Sequence, residues 1–213
     1  MPKALEQKIA GRLLRWYAAN GREFPFRETK DPYRILVCEI LLRKTTAKQV
    51  ASIYHRFFKR YPRIKSLADA SPEEVAKILR PLGIRSRAFQ LVDAAGVITS
   101  QFRGRVPSDL ETLMELEGVG RYVASCVLTF GYRARMPMVD SNADRVLSRL
   151  VLAEAKKGFD PWKLYDLLAP EGAERQFHYG MLDLAHYVCR PRNPRCSMCP
   201  INKFCRYASR FCR

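Results

Sequence analysis

Residues 116–124 read Leu-Glu-Gly-Val-Gly-Arg-Tyr-Val-Ala, a Gly-x-Gly turn that opens a helix. Glycine at both places lets the backbone turn tightly and approach a ligand closely, and the exposed amides of a helix start suit a phosphate. A Rossmann fingerprint is excluded, because no strand precedes the turn and the third glycine is missing. On chemistry alone the segment is an anion site or a plain inter-helix turn. Outward from it the pattern stays helical. Leu5, Ile9, Leu13 and Trp16 recur at helical spacing, with Asn20-Gly21 as a stop. Ile35–Leu42 is a dense apolar run that must be buried, and Val50, Ile53, Tyr54, Phe57 and Phe58 form another helical stripe ending near Tyr61-Pro62. Ser71-Pro72-Glu73-Glu74 supplies a capping hydroxyl, a proline for the first turn, and acids for the positive helix end. Ser108 and Glu111 have capping-box spacing ahead of a further helix. No segment alternates with period two, and no repeat or low-complexity linker interrupts the chain, so the fold class expected is all-α.

The 213 residues suffice for one large or two small domains. Lysine and arginine total 38 against 21 acids, a formal charge of +17. Such an excess repels itself, which points to an acidic partner, nucleic acid above all. No apolar run approaches the roughly 20 residues of a membrane span. The opening MPKALEQKIAGRLLRWY carries Glu6 and lacks an apolar core with a cleavage site, so it is not expected to be a signal or transit peptide. Seven cysteines, four of them between residues 189 and 205, argue against a disulfide framework and for a metal site in a reducing compartment.

Those four, Cys189, Cys196, Cys199 and Cys205, are spaced C-x6-C-x2-C-x5-C. Both tetrahedral zinc and a cubic four-iron cluster accept four thiolates. Zinc sites more often show two close C-x2-C pairs, whereas only one is present here, which favours iron–sulfur over zinc; four unrelated buried thiols are the alternative. Cys38 and Cys126 sit in apolar stretches as core residues, and Cys212 reads as a free thiol near a frayed end. Arg190, Arg192 and Arg195 crowd the loop between the first two cysteines, either as a stapled phosphate clamp or as a solvated surface loop.

Taken together, LEGVGRYVA at 116–124, the VDSN segment at 139–142, DPYRILVCEILLRKTTAKQV at 31–50 and the cysteine spacing resemble the helix-hairpin-helix DNA glycosylases of the endonuclease III superfamily over nearly the whole chain. The resemblance implies a six-helix barrel over 24–134, and a second helical lobe from 1–23 and 135–213 around a [4Fe–4S] cluster. It places the active-site cleft between them. It puts Asp140 on the catalytic aspartate, eighteen residues after Tyr122. Base loss develops positive charge on deoxyribose, which a carboxylate stabilises; without the resemblance, a helix cap is the simpler reading of Asp140. Glu39 falls on the acid that protonates the leaving base or positions water, its pKa raised by burial. Endonuclease III has a lysine where this chain has Tyr122. Tyrosine cannot form an imine, so a monofunctional enzyme with little lyase activity is expected.

The resemblance also implies that Gly118, Gly120 and Arg121 hold a backbone phosphate, and it offers Arg43 or Arg85 either as the wedge that fills the gap left by a flipped base or, equally, as plain phosphate contacts, with Lys44 also on the DNA side. The Leu-Leu-Arg-Lys-Thr-Thr run, Tyr122 and the FHYGMLDLAHYVCRPRNPRC segment resemble the compact mismatch thymine/uracil glycosylases acting on T:G and U:G pairs. Ser141 departs from them, since Gly or Ala usually follows the aspartate. MutY-type adenine glycosylases are the nearest rival; they usually have Gln-Gln where this chain has Arg43-Lys44, and carry a further C-terminal domain that is not expected here. A non-catalytic cluster protein that only grips duplex DNA is a rival of another class. The expected setting is cytoplasmic and nucleoid-associated, with the chain a monomer and no membrane partner.

Overall fold

The computed structural model describes residues 2–152 and 158–212, which form twelve α-helices and no strand. The chain divides into two compact units, Glu23–Ala134, and Met1–Arg22 with Arg135–Arg213. No described helix is long and apolar enough to cross a membrane.

The unit Glu23–Ala134 contains α2 (Pro32–Leu42), α3 (Ala47–Arg60), α4 (Ile64–Ala68), α5 (Pro72–Leu79), α6 (Ser86–Gln101), α7 (Leu110–Glu115) and α8 (Arg121–Tyr132). Helix α2 starts where the Asp31 carboxylate accepts the Tyr33 amide at 3.0 Å, with Pro32 in the first turn. Its run Ile35–Leu41 is buried throughout, and α2 packs against α8, α3 and α6. Helices α2 and α8 come close because residue 131 is glycine; a Cβ there would stand 2.9 Å from Pro32 Cγ. Helix α3 opens on a reciprocal capping box between Thr46 and Gln49 and buries Val50, Ile53, Tyr54, Phe57 and Phe58. The buried Tyr33 hydroxyl donates to the Tyr61 carbonyl at 2.9 Å, tying α2 to the end of α3. Burial, with Asp31 nearby, lifts the Tyr33 pKa above the ordinary phenol range.

Ser71 caps α5 as its sequence predicts, accepting the Glu74 amide at 3.2 Å. The capping box expected from Ser108 and Glu111 does not form. Asp109 takes that place instead and accepts the Thr112 amide at 2.8 Å, which starts α7 one residue later. A carboxylate serves the positive helix end better than a hydroxyl, and hydrogen bonds from the Thr112 side chain first and then its amide lower the Asp109 pKa.

The other unit holds α1 (Lys3–Asn20), α9 (Ser141–Val151), α10 (Pro161–Leu168), α11 (Glu174–Tyr187) and α12 (Arg206–Phe211). Helix α11 packs against both α1 and α9. The fully buried Asp183 carboxylate accepts from Arg22 Nε at 2.7 Å and from the Arg22 amide at 2.8 Å. Two donors from one residue pair that charge, which would otherwise be costly so deep in the unit, and fix the chain just past α1. Arg135 donates to the Asp166 carbonyl at 2.6 Å, capping the negative end of α10.

Candidate active site and cluster loop

The hairpin joins α7 to α8 through residues 116–120. Leu116 and Val119 are buried and anchor it, and the Val119 amide donates to the Leu116 carbonyl at 3.0 Å. Gly118 has φ +80°, and a Cβ there would press to 3.1 Å from Gln90 Oε1, so backbone and space both demand glycine. Gly120 caps α8, and a Cβ there would meet nothing within 4 Å. The space beside Gly120 at the start of α8 is therefore open, and the amides of a helix's first turn suit an anion.

Arg43, at the end of α2, donates through Nη1 to the Gly118 carbonyl at 2.7 Å. Arg87 is buried and donates to Gln90 Oε1, and Gln90 Nε2 donates onward to Glu117 Oε1 at 3.0 Å. Burial, with Arg43 close by, lowers the Arg87 pKa. Two guanidinium groups thus stand at the hairpin, one committed to its backbone. Next to Arg43, exposed Lys44 has φ +60°. A non-glycine residue there costs about 1–2 kcal/mol, and such strain gathers at functional turns. Arg85, the other wedge candidate, lies exposed at the start of α6 beside a recess of about 550 Å³ shared with Lys77 and Arg80. Glu39 is 4 % exposed on α2, which packs on α8, the helix that carries Tyr122 in its first turn.

In the other unit, half-buried Asp140 caps α9. One carboxylate oxygen accepts the amides of Asn142 and Ala143 at 3.0 and 2.7 Å; the other accepts the Asn142 side-chain amide at 2.9 Å. The cap reading holds, and the donors that start the helix also fix the carboxylate. Asn142 in turn accepts from Arg145 Nη2 at 3.0 Å, and Arg145 Nε donates to the Cys189 carbonyl at 3.0 Å. One turn further on, Arg149 donates to the carbonyls of Arg190 and Pro191 at 2.7 and 2.9 Å, lies 3.5 Å from Cys189 Sγ and stacks over Tyr207. Asp140 is thereby linked to the cysteine loop through α9. Sequence reading passed over Asn142, Arg145 and Arg149, although they recur on the helical face that begins at Asp140. Asn142, Arg145, His186, Tyr187, Arg190 and Arg195 line a recess of about 540 Å³, and Arg192 is exposed on the loop beside it.

Cys189, Cys196, Cys199 and Cys205 are free thiols, each half-buried. Burial foremost, then neighbouring thiols (Cys212 beside Cys196, and Cys189 and Cys205 beside both), push Cys196 and Cys199 up to about 12. Cys196 is also hydrogen-bonded to Cys212, and the Cys205 thiol donates to the Arg149 carbonyl at 3.4 Å. Among the described residues no three Cys, His, Asp or Glu side chains close around a single ion. The charges of the set nonetheless influence one another's titration, and four thiolates are the donor set of [4Fe–4S]. Cys38 and Cys126 are buried core residues, as expected.

Residues 37–161 match the sequence pattern of the HhH-GPD superfamily base excision DNA repair proteins, and residues 189–205 match the iron–sulfur binding domain of endonuclease III. The chain belongs to the HhH-GPD superfamily. It is 41% identical to a thymine-DNA glycosylase of Aeropyrum pernix, with 97% of each chain covered. It is 36% identical to an adenine DNA glycosylase of Mycobacterium tuberculosis, covering 89% of this chain and 64% of that one. A solved thermostable thymine-DNA glycosylase superposes with a TM-score of 0.90 over 97% of both chains, at 34% identity. As an HhH-GPD protein the chain is a DNA N-glycosylase of base excision repair that binds DNA and takes an iron–sulfur cluster as cofactor. Cys189, Cys196, Cys199 and Cys205 would hold that cluster, and once bound it would supply a cross-link among their thiolates.

Proposed function

We propose that this chain hydrolyses the N-glycosidic bond of thymine or uracil mispaired with guanine in duplex DNA and leaves an abasic site. The observation that carries the chemistry is the Asp140 carboxylate, fixed by three donors at the start of α9. As the base departs, positive charge grows on the sugar, and a preformed carboxylate stabilises it without reorganising. Glu39, buried on α2, serves the other end of the bond, protonating the base or placing the water. Tyr122 occupies the place from which a lysine would attack the sugar, so hydrolysis is the whole reaction. The hairpin amides after Gly118 and Gly120, with Arg121, grip one phosphate, while Arg190, Arg192 and Arg195 grip another. With Arg43 tied to the Gly118 carbonyl, the strained, exposed Lys44 and Arg85 remain as the basic side chains placed to enter the duplex.

The thymine or uracil choice is supported by the full-length likeness to thymine-DNA glycosylases and by Arg43-Lys44 in place of the Gln-Gln pair. A mispair also lowers the cost of flipping, which is a few kcal/mol in a matched duplex. Single-turnover assays on T:G, U:G and A:8-oxoguanine duplexes test the assignment. Release of thymine and uracil is expected; release of adenine alone overturns it. Borohydride trapping should yield little protein–DNA adduct. The thiols of the cluster loop suit a reducing compartment.

A further inference from the structure

One strongly basic recess of the unit that holds Asp140 has no part in the proposed chemistry. It lies between the exposed face of α1 and the segment after Cys199, and measures about 650 Å³. Lys8, Arg12 and Arg15 line it from α1, and Lys203 and Phe204 face them. No carboxylate lines it, and among the described residues none of the four cations pairs with one. Gly11 keeps the middle of the groove low; a Cβ there would stand 3.6 Å from Arg15 Nη1. Arg12 is braced over the Phe204 ring and donates to the Pro200 carbonyl at 3.4 Å, so it fixes the groove wall, whereas Lys8, Arg15 and Lys203 are exposed. Lys8 and Arg15 are two helical turns apart, about 10 Å along α1. The recess shares no residue with the one beside Asp140.

We infer that this groove holds the phosphate backbone of a second DNA segment while the first occupies the active site. Unpaired cations set in a row are costly to hold together, and a polyanion relieves them by releasing its counterions. The partner this protein meets throughout its search is duplex DNA, and a second grip lets it pass directly between segments. An acidic polypeptide presents similar charge, but the row of separated cations along one helix face matches a regular phosphate backbone better than folded carboxylates.

The test is the dissociation of cluster-loaded protein from a labelled short T:G duplex, followed at rising concentrations of unlabelled matched duplex, with poly-glutamate as the control polyanion. Dissociation of the wild type is expected to accelerate with competing duplex and not with poly-glutamate. In Lys8→Glu/Arg15→Glu/Lys203→Glu the acceleration should vanish, while single-turnover excision on the short duplex is unchanged. With three contacts, the salt slope for second-duplex binding should fall by about 2.7, at roughly 0.9 per phosphate contact. Helicity and the visible absorbance of the cluster check the fold, and Lys8→Gln/Arg15→Gln, which leaves the cysteine segment untouched, should give a partial effect. The inference is overturned if wild-type dissociation ignores the competitor or responds equally to poly-glutamate. It is overturned too if the acceleration survives in the variant, or if excision on the short duplex falls with it.

Discussion

At the scale of single residues, the side chain at position 122 decides between hydrolysis and lyase chemistry. Lysine there would place an amine where tyrosine stands, so Tyr122→Lys should gain a borohydride-trappable adduct on a T:G duplex that the wild type lacks; gel analysis after reduction reads the outcome. Tyr33 makes a separate prediction about stability. Its hydroxyl bonds the Tyr61 carbonyl in the core, and Tyr33→Phe should cost about 1 kcal/mol in urea unfolding. Its pKa is raised by burial, so the folded state keeps the phenol protonated where the unfolded chain has begun to ionise. The stability this contributes is complete below pH 10, the ordinary phenol value, and declines as pH rises past it. Thermal unfolding between pH 8 and 11 should show that decline, and less of it in Tyr33→Phe. Single residues were also where sequence reading lost detail. Asp140 could be read as a cap or as a catalyst, and in the structure it is held as a cap is held, which is also what fixes its carboxylate. The shift of the α7 cap from Ser108 to Asp109 shows why adjacent capping residues are hard to order: both offer an oxygen, and only the fold decides which meets an amide.

At the scale of elements, helix starts and stops were legible because caps, prolines and apolar stripes are local. Ser71-Pro72 opens α5, Val50 to Phe58 bury the face of α3, and the cysteine spacing announces a metal loop without any long-range information. What was not legible is the set of contacts made by arginines across elements. Arg145 and Arg149 reach from α9 to backbone carbonyls about 40 residues further on, and nothing in a charged helix face distinguishes such arms from solvated ones. The bond from Arg43 to the hairpin carbonyl of Gly118, 75 residues away, is another such contact. The α9 arginines give a testable consequence. Arg149→Ala removes the donors to Arg190 and Pro191 and the contact with Cys189, so the cluster should bleach several times faster under chelator and oxygen, followed by visible absorbance, while helicity changes little.

For the whole molecule, the charge of +17 is the property most plainly written in the sequence, and it makes DNA affinity a salt-dependent quantity. Arg192→Ala/Arg195→Ala should weaken binding to matched and mismatched duplexes alike and reduce the salt slope by about 2. Equal losses on both duplexes would mark these arginines as phosphate contacts; a loss confined to the mismatch would mark them as readers of the lesion. The division into two units puts Glu39 and the hairpin in one and Asp140 and the cysteines in the other. The most direct measurement of the central claim is single-turnover release of thymine from a T:G duplex by Asp140→Asn, beside its affinity for the same duplex. The account predicts that release falls at least 10²–10³-fold, the scale for removing a preformed electrostatic group, while affinity changes little. Release at the wild-type rate would contradict it.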